Sequence, residues 1–592
     1  MKKQMQNLSI TRGAIVVFLL QVVCANAVEI PKFSITGNMG VSYEGYSVTT
    51  NPTTPSFFTP RRPSTLVRFS FQPVITYGEF KLPFNFNFSP SRNNFGSPPY
   101  GFGNLPGFPK QNFKQWLTNP MNSLGLNPSY KWVEIQLGTQ FLKYSDLSTG
   151  DLGIFGYGFS LKPGKLRMKY FSGVSQQSYQ PFVSLIPPAT FVGAYKRTVS
   201  MGQIGFEQDG KYFAGFNLVR SYDNMSSIAT PLTGIPSTPK PAENFVLSFV
   251  TKFNTEKGWY GQTEFGTTIS TRDIAALGPN PLLKDFKPYI STNISSFRDH
   301  AAQMGFGKKG KDWDIGITSK WLGGGYYTMG YSFVQNDRLD YTLNTRFNTW
   351  KKKMNVVASI GERFGNWSNS ANRTKQIIAN TNVFTQFNEH FSLNANYNNF
   401  GFQTPGLTGI KNVGNDLGVN PSYTWSSNSM SNLLSLTYNW SKYDETVFPS
   451  NTLTRNNSHT AMLMYVPTFY DKPNLSTDFS AMYFQNLTTP LMTKLKIYTI
   501  SSSIGYHFPK QHINMKGQLQ YNITTINPFS ASKNVLATMG ADWNLTSKLT
   551  WNTSMSLNLF KYGNELSPPL ALLGASYRES ILKTSLLYKF GN

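Results

Sequence analysis

The sequence predicts an all-β chain, a closed antiparallel transmembrane barrel of roughly 22–26 strands with no plug domain. Three observations predict it. Hydrophobicity alternates with period two along most of the chain. Charged residues are only 14% while aromatics are 15%, whereas a soluble surface carries about a quarter charged residues. And the chain begins with an export signal. The polar share is made up by Asn, Ser, Thr and Gly, which suits strands with one apolar face and one neutral polar face.

Residues 1–27 read as a signal peptide. Lys2, Lys3 and Arg12 give a positive start, Ile15 to Val23 is a short apolar run, and Ala25-Asn26-Ala27 fits the small-x-small rule, so cleavage is expected after Ala27. The run is too short to cross about 30 Å of hydrocarbon as a helix. The single cysteine of the 592 residues, Cys24, is expected to leave with the signal, since Val23 is not the small residue a lipoprotein signal needs. The mature chain then has no disulfide and no Cys-ligated metal. Closed backbone hydrogen bonding is one way to hold such a chain together.

Residues 28–592 are expected to form the barrel. No stretch after the signal reaches 18 consecutive apolar residues, which excludes a helical membrane protein. In 513–523, Ile513, Met515, Leu519, Tyr521 and Ile523 alternate with Asn514, Lys516, Gln518, Gln520 and Asn522. The same pattern marks 549–559, 80–88, 133–141, 391–397 and 434–440. Alternation sends the two sets to opposite faces of a strand, as it would in a soluble sandwich too. The segments are long, however, and Tyr, Trp and Phe collect near their ends, as in the aromatic girdles of membrane barrels. Antiparallel closure leads us to expect an even strand number.

The longest non-strand stretch is Pro90 to Ser129, rich in Gly, Pro and aromatics. It is expected either to fold into the lumen, with Phe102, Phe108, Phe113 and Trp116 as constriction candidates, or to pack over the rim. Further loops are expected near 179–190, 224–241 and 273–296. A short repeat, Gly125-Leu-Asn-Pro-Ser-Tyr-Lys-Trp132 and Gly418-Val-Asn-Pro-Ser-Tyr-Thr-Trp425, predicts two turns followed by interfacial Tyr and Trp. It reads better as two similar turns sharing residues than as a duplicated site.

The formal charge is +25, or +22 once Lys2, Lys3 and Arg12 are removed. Such a balance suits nucleic acid, lipopolysaccharide or anionic solutes, and the export signal argues against nucleic acid. Parity is more informative. Lys165, Arg167 and Lys169 oppose Leu166, Met168 and Tyr170. Arg68 opposes Phe69, Lys81 opposes Phe80, Lys516 opposes Met515, Arg346 opposes Tyr341 and Phe347, and Lys583 and Lys589 oppose Leu582 and Tyr588. A cation on the lipid side at mid-depth costs about 2–4 kcal/mol, so these are expected to line the lumen, either as an anion-selective surface or as solvated residues paired with acids such as Glu79 and Glu134.

No catalytic or metal motif is present. The five histidines lack metal-ligand spacing. Ser458-His459 would serve a hydrolase only with converging partners, and His459 is expected at a rim near the start of a strand. No enzyme activity, cofactor or metal is expected.

The final strand alternates through Leu582, Leu586, Tyr588 and Phe590 before Gly591-Asn592. It resembles the last strand of outer-membrane barrels, read by the barrel-insertion machinery. With the Asn- and Tyr-rich strands and the Asn-Pro-Ser-Tyr-x-Trp turns, the chain resembles the large outer-membrane barrels of Bacteroidetes-type bacteria. That resemblance implies fold and an outer-membrane location, not a substrate. A porin-like passive channel with a basic lumen for small solutes, anions among them, is the expected function. The alternative is a structural, assembly or secretion component. A gated importer with a plug is not expected, because alternation begins by about Lys32. Expected partners are outer-membrane lipid and lipopolysaccharide, the insertion machinery, and envelope lipoproteins.

Overall fold

A computed structural model describes residues 32–591 apart from 51–61, 63, 91–111, 120–121, 151, 186–187, 192, 229–238, 332–333, 371–372, 404–408, 528–529 and 564–575. Candidates Phe102 and Phe108, the signal peptide and its cleavage site lie outside the described residues.

The described chain forms twenty-nine strands, β1 (Phe33–Thr50) to β29 (Tyr577–Phe590). Two of them, β9 (Phe182–Leu185) and β10 (Pro188–Phe191), make a separate hairpin inside the stretch expected to be an irregular loop at 179–190. The other 27 join one antiparallel sheet. In it, β4 (Ser123–Leu126) and β5 (Ser129–Tyr130) occupy one position between β3 (Phe80–Phe88) and β6 (Val133–Phe141), so the barrel has 26 staves. It closes where β1 pairs β29, from Gly37↔Phe590 to Thr50↔Tyr577. Closure leaves no edge strand and satisfies the backbone internally, which hydrocarbon demands.

The stave β4–β5 corrects the expected loop 90–129, whose last part is strand. Its break at Asn127-Pro128 recurs at Asn420-Pro421 inside β21 (Ile410–Ser426), where the register to β22 (Met430–Val447) skips both residues. Neither Asn-Pro is the turn that was expected. Proline has no N–H for the ladder, and the Asn beside it bridges inward instead. Asn127 Nδ2 donates to Gln140 Oε1 at 3.3 Å and Asn127 Oδ1 accepts from Gln140 Nε2 at 2.7 Å. Asn420 Nδ2 donates to Thr437 Oγ1 at 2.6 Å and Ser435 Oγ at 3.0 Å. In both cases Tyr and Trp follow at the rim.

Connections alternate in length through the first half of the sheet. One end carries short turns such as 78–79, 209–211 and 545–548, while the other carries 142–152, 177–195, 272–295 and 323–337. Gly78 and Gly210 take positive φ (59° and 72°) that tight reversal requires. Seven of the eleven tryptophans (132, 259, 313, 350, 425, 543, 551) lie in or within three residues of the short turns. Tyr423, Trp425 and Tyr465 stack there, as do Trp259 and Phe306. This is an interfacial belt.

Outward residues are apolar and exposed: Ile204 and Phe206 on β11 (Lys196–Gln208), Ile317 on β16 (Trp313–Leu322), Leu519 on β26 (Ile513–Ile526). An apolar exterior wrapped around a closed sheet needs lipid, not water, as its surroundings. Pairing of Ser42 with Arg68 and of Gln72 with Asn85 shows the opposite, polar face turned inward.

Candidate functional site

The lumen is polar on one half of its wall and apolar on part of the other. Across β7 (Gly153–Leu161), β8 (Leu166–Gln176), β11, β12 (Tyr212–Asn224) and β13 (Glu243–Asn254), the inward residues Ile154, Phe171, Val199, Met201, Val219 and Val246 form one cluster. Ile154 and Phe171 are 0% exposed. Leu142, Tyr144 and Leu152, from loop 142–152, cover them. This loop therefore folds into the barrel. Burying this much apolar surface, about 25 cal/mol per Å², is what draws it in.

Loop 323–337 folds in beside it. Tyr326 Oη donates to Leu147 O at 2.6 Å, Thr328 Oγ1 to Ser148 O at 2.7 Å, Tyr331 Oη to Ser145 O at 2.9 Å, and Gly150 N to Gly330 O at 3.2 Å. A side chain at Gly330 would collide with the Ser148 carbonyl, so only glycine permits this approach. Burial pushes the Tyr326 phenol up, keeping its proton for Leu147. Inward side chains then tie both loops to the wall. Asn244 Nδ2 donates to Tyr327 O at 3.0 Å and Asn244 Oδ1 accepts from Met329 N at 3.1 Å. Glu264 accepts from Gln303 at 3.1 Å, and Gln303 also donates to Asp146 at 3.1 Å. These bonds tie each loop to the other and to the wall, which makes the arrangement specific.

The constriction expected from 90–129 is not placed by its described residues. The helix α1 (Phe113–Leu117) sits at the long-loop rim, capped by Asn112. Trp116 Nε1 donates to Ser89 O at 2.7 Å, and its ring meets Phe88 edge-on. Phe88 in turn stacks on the outward Phe69, so Trp116 extends the outer aromatic surface. Phe113 stacks on Trp116 and is exposed. Of the two placements expected for this stretch, lumen or rim, these two residues sit at the rim. The rim packing follows from the apolar face that Phe88 presents.

The cation candidates are dispersed. Arg68 on β2 (Thr65–Tyr77), Lys81 on β3, Lys169 on β8, Arg346 on β17 (Arg338–Thr349) and Lys516 on β26 share the parity opposite the exposed apolar set. Lys169 lies 5.8 Å from the Tyr144 ring, within the loop-covered wall. Lys165 is in the turn before β8, not in the strand where it was expected. Arg167 is held at that turn by Glu207 at 2.7 Å and Asp209 at 3.2 Å, and its side chain is almost buried. It is structural, because a desolvated guanidinium needs such partners.

Sequence reading missed the group that does converge. Asp146, Lys320, Tyr326, Tyr331, Gln335 and Arg338 line one cavity with Leu147, Leu322, Thr328 and Val334. Arg363 grips both oxygens of Asp340 at 2.9 Å, leaving Arg338 3.5 Å from one of them. Lys320 followed the alternation of Ile315, Ile317 and Trp321, and so was legible. The loop that meets it was not. His459, expected near a rim, is interior to β23 (Thr452–Phe469). Its Nδ1 is 2.9 Å from the outward Tyr438 hydroxyl, and Ser458 bonds the Ser441 carbonyl on the other face.

No family model and no curated protein sequence matches the chain. Among solved structures it is similar to OccAB4 of Acinetobacter baumannii (11% identity, TM-score 0.28, covering 64% of this chain and 97% of that one). It is also similar to the translocation pore of the P pilus usher PapC (10%, 0.42, covering 93% and 99%). A third is the FrpB iron transporter from Neisseria meningitidis (11%, 0.35, covering 94% and 82%). These are likenesses of barrel form and say nothing about solute, partner or role.

Proposed function

We propose that this chain is a porin-like outer-membrane channel for small solutes, with anions favoured. The observation that carries this reading is the division of the lumen. Loops 142–152 and 323–337 narrow it along β7–β17, while inward polar side chains on the opposite wall, such as Lys516 and Gln518 on β26, remain exposed. Arg68, Lys81, Lys320, Arg346 and Lys516 have no ion pair within 4 Å among the described residues, and uncompensated lumenal cations favour anions. No enzyme chemistry is part of this reading. Lipid and lipopolysaccharide surround the outward face, and the export signal delivers the chain to the insertion machinery.

The test is reconstitution of the folded protein in planar bilayers. Discrete conductance steps with anion preference support the channel. Silent bilayers reject it.

A second reading, a scaffold for envelope lipoproteins or other partners, is favoured by loop 272–295. It packs Leu283 and Ile290 onto the outward Ile269 but leaves Leu277 and Leu282 90% exposed, an apolar surface of the kind that marks contact sites. Stoichiometric co-purification with envelope proteins, together with silent bilayers, would favour it.

A further inference from the structure

The cavity between the two inward loops and the β16–β17 wall encloses about 260 Å³, which is small for an organic ligand site. Its two sides come from different elements. The β16–β17 wall supplies Lys320 and Arg338 with Leu322 beside them, Leu322 being the register partner of Arg338. The inward loop supplies Val334 and the rings of Tyr326 and Tyr331. Three carboxyls lie near the pair and each is engaged: Asp146 is ion-paired with Lys143 and accepts from Gln303, Glu264 accepts from Gln303, and Asp340 is gripped by Arg363. Lys320 has no ion pair among the described residues. Arg338 donates to Gln335 at 3.1 Å, but its buried Nε stands 3.5 Å from Asp340 and has no hydrogen-bond partner among the described residues, because Asp340 is engaged by Arg363. A buried donor left unpaired costs about 1–3 kcal/mol, so the cavity holds a cationic pair with donors to spare beside an apolar wall.

We propose that this cavity is a binding site for small organic anions. The anionic group sits between Lys320 and Arg338, and a single-ring or short aliphatic body lies against Leu322, Val334 and the two tyrosines. The proposal deepens the channel reading, on which it rests for solute access. An inorganic anion would use the cations alone, and a neutral ring the apolar wall alone. Only an organic anion uses both.

The probe is benzoate, titrated calorimetrically into the full folded chain in detergent at low ionic strength, with benzamide as the neutral counterpart. Benzoate is expected to bind and benzamide not to. Lys320→Gln and Arg338→Gln are each expected to weaken benzoate by about tenfold or more, the loss of one charged hydrogen bond. Lys548→Gln, in a distant short turn, is expected to leave binding unchanged. Lys320→Gln removes no ion pair and so tests the site even if Arg338→Gln does not fold. Absent binding, or binding that neither substitution weakens, overturns the proposal. The same benzoate added to bilayers separates the two readings. Conductance that benzoate does not interrupt removes the site and keeps the channel, whereas calorimetric binding by a silent protein removes the channel and keeps the site.

Discussion

The Tyr326 hydroxyl donates to the Leu147 carbonyl at 2.6 Å across 179 positions of sequence, and both residues are all but inaccessible to solvent. That bond joins two loops from separate hairpins inside the barrel. It fixes where the lumen is narrow.

Tyr326→Phe removes only this hydroxyl, at a cost of about 1 kcal/mol. Tyr326→Ala also empties the space its ring fills, a change worth about 3–5 kcal/mol in a packed core. Both are expected to free loop 142–152 and leave the barrel folded. Trypsin cleavage after Lys143 should be slowest in the wild type, faster in Tyr326→Phe and fastest in Tyr326→Ala, and single-channel conductance should rise from wild type through Phe to Ala. Equal cleavage in all three would show that the bond does not hold the loop.

Leu519 and Gln518 are neighbours on β26 that face opposite ways. Leu519→Arg puts a guanidinium in hydrocarbon near mid-depth and is expected to destabilise the folded barrel by about 2–4 kcal/mol. Gln518→Arg adds the same charge to the wet face and is expected to change stability little while increasing anion selectivity. Unfolding by guanidinium chloride in lipid vesicles checks the first, and reversal potentials check the second.

Asn420 bridges the ladder gap that Pro421 creates. Asn420→Ala leaves Thr437 and Ser435 without that donor and is expected to destabilise the barrel by about 1–3 kcal/mol. Asn420→Asp, which cannot donate, should behave like alanine. Full stability of either variant would mean that water does the bridging.

Asp146 is half-buried, which by itself raises its pKa, but hydrogen bonds from Lys143 and Gln303 and the charge of Lys320 hold it below the ordinary value of 3.8. A depressed carboxyl stabilises its surroundings above that ordinary value and stops doing so as pH falls through the depressed one. The Asp146 contribution to holding the loop is therefore expected to be complete between pH 7 and pH 5 and lost only below 3.8. Asp146→Asn should show the loosened state at every pH. A conductance step near pH 5 in the wild type that Asp146→Asn abolishes would contradict this.

Much of the wall was legible because lipid and water force period two upon it. The stretches 80–88 and 133–141 coincide with β3 and β6, and 26 staves sit within the expected number. The inward loops were not read. Their signal lay in the strands they cover, where Leu218-Val219 and Val246-Leu247 are apolar on both faces, unlike the clean alternation of 513–523. A strand apolar on both faces has both faces covered. Lys320 and Arg338 obeyed the parity that located Arg346, yet nothing local reveals that residues near 146 and 326 meet them. Such non-local contacts leave no periodic trace. Lys165 was placed in a strand for a related reason, because alternation does not show where a strand ends and its turn begins.

The barrel as a whole rests on one separation of faces, which cysteine labelling tests directly. In a Cys24→Ser background the chain has no other cysteine, so Leu519→Cys and Gln518→Cys each offer a single thiol in the middle of β26. In intact outer membranes treated with a membrane-impermeant maleimide, Gln518→Cys is expected to react and Leu519→Cys to stay unmodified until detergent is added. Equal labelling of the two, or labelling of Leu519→Cys alone, would contradict a sheet closed between lipid and water.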